Sequence, residues 1–169
     1  MRLRCVAGLL GCLLWSAYAA SPAVAQVGHP TVRLMVDGKP SDVFDQAALA
    51  SMPQASVTAA AAGEQAGTWQ GVALEDIVRR ACVASGDALA GRALARLVRV
   101  TAANGDQVVF SAAELDPDFG NLQVILADRR DGKPLAEDVS FRLIVPKDKR
   151  ADRWLRHVTT IEVMDASGS

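Results

Sequence analysis

The sequence is short of the residues that most chemistry needs. Its 169 residues hold three cysteines, two histidines and one tyrosine, and aromatic residues make up 5%. Two of the cysteines, Cys5 and Cys12, fall in an N-terminal stretch that reads as removable. The remaining Cys82 with His29 and His157 builds neither a disulfide within one chain nor a closed Cys/His metal centre. No G-x-G-x-x-G, no G-x-x-x-x-G-K-[ST], no H-E-x-x-H and no G-x-S-x-G occurs. His29 beside Pro30 and His157 in a basic stretch argue against a Ser-His-Asp triad. Carboxylate pairs such as Asp116 with Asp118 and Glu137 with Asp138 sit in turn-like surroundings, as solvated surface charge does. Low-complexity tracts, repeats and internal linkers are lacking too, and half the residues are hydrophobic with 22% charged, which excludes a disordered chain.

What is present begins with an export signal. Arg2 and Arg4 make a basic start, Cys5 to about Tyr18 is apolar, and Ala23-Val24-Ala25 offers small residues for cleavage before Gln26, with Ala17-Tyr18-Ala19 as an alternative cut. The apolar run falls short of the ~20 residues that span a bilayer, and nothing later is longer. The reading is a signal peptide over residues 1–25 and a single domain over 26–169, periplasmic or secreted, with no membrane span after cleavage. Removing Arg2 and Arg4 from 18 basic residues leaves 16 against 19 acidic ones, a net charge of −3 that speaks against a nucleic-acid partner.

Along the mature chain, Thr31–Val36 alternates as a strand, Asp37-Gly38 with Pro40 makes a turn, and Asp45 caps a short helix that stops near Met52 because Pro53 follows. Gln54–Ala61 reads as a weak strand, with Gly63 and Gly67 bracketing a loop. Leu74, Ile77, Val78, Ala81 and Cys82 share one helix face, which places Cys82 toward the core as a small hydrophobe rather than a reactive thiol. Asn104-Gly105 predicts a two-residue hairpin turn, pairing Val100 with Val109. Ser111 and Glu114 form a capping box. Asn121–Ala127, Phe141–Val145 and Val158–Val163 are further strands, with a turn at Arg130–Pro134. The fold class is α+β, with a mixed, largely antiparallel sheet and a few short helices.

Lys147, Lys149, Arg150, Arg153 and Arg156 crowd the segment after Val145-Pro146, around Trp154. Guanidinium groups bind oxyanions bidentately, so this basic stretch of an acidic protein is the candidate binding site, for a small anion. Packing of Trp154 beneath a solvated loop is the plainer reading. Trp69-Gln70-Gly71, before the helix, reads as packing that fixes its entry angle.

The order of these signals resembles the molybdopterin-binding domain of the sulfite oxidase family. The resemblance rests on Trp69-x-Gly71-Val72-x-Leu74 leading into a helix, Thr101–Gly105 with Val108–Ser111, Arg130-Asp131-Gly132-Lys133-Pro134-Leu135, Phe141–Pro146, and Arg153–Val158 with Ile161-Glu162-Val163. It covers most of the mature chain and implies a truncated form of that fold, with molybdopterin as the cofactor and a cysteine thiolate on its metal. Arg153 and Arg156 match the family's basic positions near the cofactor's phosphate, with Lys147, Lys149 and Arg150 beside them. Ala59 and Ala60 stand where the ligand cysteine belongs, and alanine has no donor atom. The implied reading is an exported, degenerate, non-catalytic member that retains an anion or pterin-phosphate cleft, with no catalytic or metal-ligating residue. An active periplasmic molybdopterin oxidoreductase and a periplasmic binding module of a redox or signalling system are the alternatives.

Overall fold

A computed structural model describes residues 30–61, 63–83, 91–136 and 140–166. The expected export signal, His29, Glu137, Asp138 and the side chain of Cys82 lie outside the described residues. Among them, no helix is long and apolar enough to cross a membrane.

Two five-stranded sheets make the body. The first has β1 (Val32–Val36) and β2 (Lys39–Phe44) joined by a turn in which Asp37 and Gly38 both have positive φ, 48° and 76°. Asp-Gly is the pair that a type I′ hairpin turn favours. Strand β2 is absent from the sequence reading because Lys39-Pro40-Ser41-Asp42 carries no apolar alternation; proline is tolerated here because β2 is an edge strand. The sheet is completed by β5 (Arg96–Ala102), β6 (Gln107–Ser111) and β10 (Val158–Asp165) in the order β2-β1-β10-β5-β6. Only the β1–β10 pairing is parallel among the described strands.

The β5–β6 hairpin corrects the expected register by one residue. Val100 faces Val108, not Val109. The Gly105 N–H donates to the Ala102 carbonyl at 3.0 Å and the Ala102 N–H to Asp106 at 2.9 Å, and only Gly105 of the turn has positive φ. This is a three-residue loop ending in a glycine bulge, so one more residue enters the turn than a two-residue loop allows.

The second sheet contains β3 (Gln54–Ala59), β4 (Gly67–Ala73) and β7 (Ile125–Arg130), with the short β8 (Lys133–Pro134) and β9 (Arg142–Ile144) both paired to β7. Strand β4 is the larger omission of the sequence reading. The segment around Trp69-Gln70-Gly71 is strand, and Gly71 is required by close approach rather than by a helix entry angle: a Cβ there would lie 2.0 Å from the Leu126 carbonyl oxygen on β7. Val124 to Ala127 and Phe141 to Val145 are buried at every position, the mark of strands covered on both faces.

The helices are short, and their ends are set as the sequence predicts. Asp45 caps α1 (Gln46–Ala50) by accepting from the Ala48 N–H at 2.7 Å. Ser111 caps α3 (Ala112–Leu115) by accepting from the Glu114 N–H at 3.0 Å. In α2 (Leu74–Val83), Leu74, Ile77, Val78 and Ala81 are buried, with Arg79 and Arg80 exposed. One continuous core joins both sheets, from Leu34 and Phe44 through Phe110 to Trp69 and Phe141. The architecture is α+β and largely antiparallel.

Candidate functional site

Trp69 lines the site, and Trp154 packs against it. Trp69 on β4 donates its indole N–H to the Ala59 carbonyl at 3.3 Å, and Trp154 donates to Val145 at 3.0 Å. The rings meet edge to face, 6.1 Å apart at 84°. Each ring is thereby fixed at its polar end, and the pair gives cations a rigid aromatic surface.

Three arginines from separate parts of the chain converge there. Arg130 ends β7 opposite Trp69, Arg142 begins β9 opposite Ala127, and Arg156 is bridged to Arg142 across the neighbouring segment. The Arg130 and Arg142 guanidinium carbons each lie 4.8 Å from the Trp69 ring centre, and that of Arg142 lies 5.7 Å from Trp154. Gly67 helps admit Arg130, since a Cβ on it would lie 2.6 Å from the Arg130 Nε. The opening they line, together with Gln65, Leu135 and Ala136, has a volume of about 460 Å3.

Glu64 is the carboxylate that lines this cleft. It accepts from Arg130 Nη1 at 3.2 Å, while its other oxygen stands 3.8 Å from Arg156 Nη2 and 4.0 Å from Arg142 Nη2. Arg130 also donates to the Gln65 carbonyl at 2.8 Å, and Asp131 lies 3.7 Å from its Nε at the rim. Arg142 is the least satisfied. It is 7% exposed, and its Nε has no hydrogen-bond partner. Burial pushes its guanidinium below the ordinary arginine range, the positive Arg156 and Arg130 push the same way, and Glu64 opposes them. The group still carries its charge at neutral pH. Three guanidiniums thus gather around one carboxylate, and one buried N–H of Arg142 has no partner.

Of the five cations singled out in the sequence, the structure brings Arg156 to this cleft. Arg153 points into a separate network: it grips Asp148 with two hydrogen bonds of 2.7 and 2.5 Å, stands 3.6 Å from Glu114 and stacks 5.0 Å from the Phe110 ring centre. The Asp148 hydrogen bond holds its pKa above the usual value. Arg150 pairs with Asp152 at 2.8 Å, with both side chains in solvent, and Lys147 and Lys149 are exposed. The sequence carries Arg130 and Arg142 only within motifs and does not single out Glu64. Arg142 leaves a trace, a lone charge inside the apolar run Phe141-Arg142-Leu143-Ile144-Val145.

Ala59 ends β3 and Ala60 follows it; Ala59 is buried, and its carbonyl is already engaged by Trp69. No cluster of three or more His, Cys, Asp or Glu able to hold a metal occurs among the described residues. The donors facing the cleft are cationic N–H groups, which suit an anion.

The two-sheet fold resembles part of a solved structure. The sulfane dehydrogenase SoxCD from Paracoccus pantotrophus superposes with a TM-score of 0.58 at 19% identity, over 79% of this chain. The overlap takes in 38% of the SoxCD chain, so the likeness is to part of that protein and to its fold. No protein-family signature and no curated protein matches the sequence.

Proposed function

We propose that this chain is a non-redox relative of the sulfite oxidase family's molybdopterin-binding domain, exported to the periplasm, whose arginine cleft binds a small oxyanion. The observation that carries the proposal is Arg142, a buried guanidinium with an unpaired Nε on a tryptophan floor. A buried charge without full pairing costs several kcal/mol, and an anion that completes its hydrogen bonds recovers part of that. Binding would proceed by chelation: Arg142 supplies the deep contact, Arg130 and Arg156 close on the remaining oxygens, and the Trp69 ring excludes water beneath. The fold shared with SoxCD supports the relationship, and the alanines at the end of β3 support the loss of redox chemistry. The basic, apolar and small-residue order of residues 1–25 supports export, to serve a periplasmic redox or signalling partner.

The test is metal analysis together with anion titration. Mature protein purified from a host that makes molybdopterin should contain no stoichiometric molybdenum by plasma mass spectrometry and show no dithiolene absorption band. Phosphate and sulfate, at constant ionic strength, should raise its melting temperature and release heat on titration. A pterin phosphate offers the same terminal group as inorganic phosphate, and a fluorescent pterin released on denaturation would identify that source. Stoichiometric metal with a dithiolene band overturns the non-redox reading, and the absence of any phosphate or sulfate response overturns the anion reading.

A further inference from the structure

Glu64 occupies the position an incoming anion would take. It sits in a turn at the exit from β3, where its N–H donates to the Ala61 carbonyl at 2.9 Å and Gly63 adopts a left-handed φ of 82°. From there its side chain, one third exposed, reaches in among the three guanidiniums. We propose that Glu64 is a tethered competitor for the cleft, and that the ligand able to displace it is a tetrahedral dianion such as sulfate, phosphate or a phosphate monoester. The proposal rests on the anion-site reading above and deepens it.

The geometry separates ligand classes. A carboxylate has one charge and two oxygens in one plane, and here that suffices for one hydrogen bond, to Arg130 at 3.2 Å. The approaches to Arg156 at 3.8 Å and Arg142 at 4.0 Å are beyond hydrogen-bond reach. A free monocarboxylate therefore offers nothing that Glu64 does not. It must also lose its own translational freedom, against a group held nearby at an effective concentration on the order of millimolar. A tetrahedral dianion brings a second charge and oxygens in four directions, enough to meet three forks that arrive from three segments. When it enters, Glu64 returns to solvent at the rim.

Isothermal titration of the mature protein and of Glu64→Gln, with sulfate, phosphate and acetate at one ionic strength, tests this. The parent should bind sulfate and phosphate and give no acetate signal. Glu64→Gln keeps the side chain's size and an acceptor for Arg130 but removes the charge; it should bind sulfate about three- to tenfold more tightly and gain measurable acetate binding. Glu64→Asp, one methylene shorter, should fall between the two and serves if the glutamine variant misfolds. Sulfate affinity unchanged or weakened in both variants, with parent binding intact, overturns the competitor and leaves the anion site standing. Acetate binding by the parent as tight as sulfate overturns the dianion class. Failure of every anion with the parent and both variants overturns the underlying site and this inference with it.

Discussion

Arg142 and Arg153 both lie against aromatic rings near the ends of short segments, 4.8 Å from Trp69 and 5.0 Å from Phe110, and their electrostatic settings are opposite. Arg153 belongs to a stretch dense in charge of both signs, and its partner Asp148 is five residues away in the same loop. Local density supplies both the cations and their neutralisers, as Arg150 with Asp152 also shows. Arg142 stands in an apolar strand whose neighbours in sequence cannot pair with it. Its companions Arg130 and Arg156 arrive from elsewhere with like charge, and one shared carboxylate does not reach it within hydrogen-bond distance. Arg153 and Arg150 are thus neutralised within their own segment, whereas the isolated charge of Arg142 in a buried strand is paired only at a distance.

The contrast predicts its own largest effect at Arg142. Arg142→Met keeps length and packing while removing the charge, and sulfate affinity should fall about 10- to 100-fold, the worth of a buried charge-assisted contact. Stability should hold or rise, because replacing a poorly paired buried ion with an apolar chain of similar length is often neutral or favourable. Titration calorimetry with urea denaturation reads both. Unchanged sulfate affinity would erase the distinction drawn between the two arginines. Arg156→Ala should act in the same direction but less, about threefold to fivefold, since its side chain is 58% exposed and its contacts are screened. Its melting temperature should stay within the scatter of surface substitutions. A loss at Arg156 exceeding that at Arg142 would move the centre of the site to the rim.

Much of the fold can be read from the sequence, because it is written in local rules. The caps at Asp45 and Ser111 and the apolar face of α2 depend on residues three or four apart. Strand β2 escapes because an edge strand needs no buried face, and β4 because its glycine serves a neighbouring backbone instead of a turn. The cleft depends on register: Trp69 faces Arg130, Ala127 faces Arg142, and Arg142 faces Arg156, pairings between segments up to 61 positions apart. No local pattern encodes them, so the sequence marks Arg156 by its basic surroundings, carries Arg142 and Arg130 only within motifs, and does not mark Glu64.

The sharpest control on the comparison has the smallest expected effect on binding. Arg153→Ala removes a cation from the most basic stretch of the sequence, and the sulfate affinity should not change, because the guanidinium lies outside the cleft and is already held by Asp148 with Glu114 nearby. The cost should appear in folding. Two charge-assisted hydrogen bonds and the contact with Phe110 are lost, and Asp148, with a side chain only 17% exposed, is left without its partner. Partial exposure of Arg153 keeps the expected loss to about 1–2 kcal/mol, read as an earlier urea midpoint at unchanged slope. A fall in sulfate affinity as large as that of Arg142→Met, at unchanged stability, would transfer the anion site to the loop after β9 and reverse the roles of the two arginines.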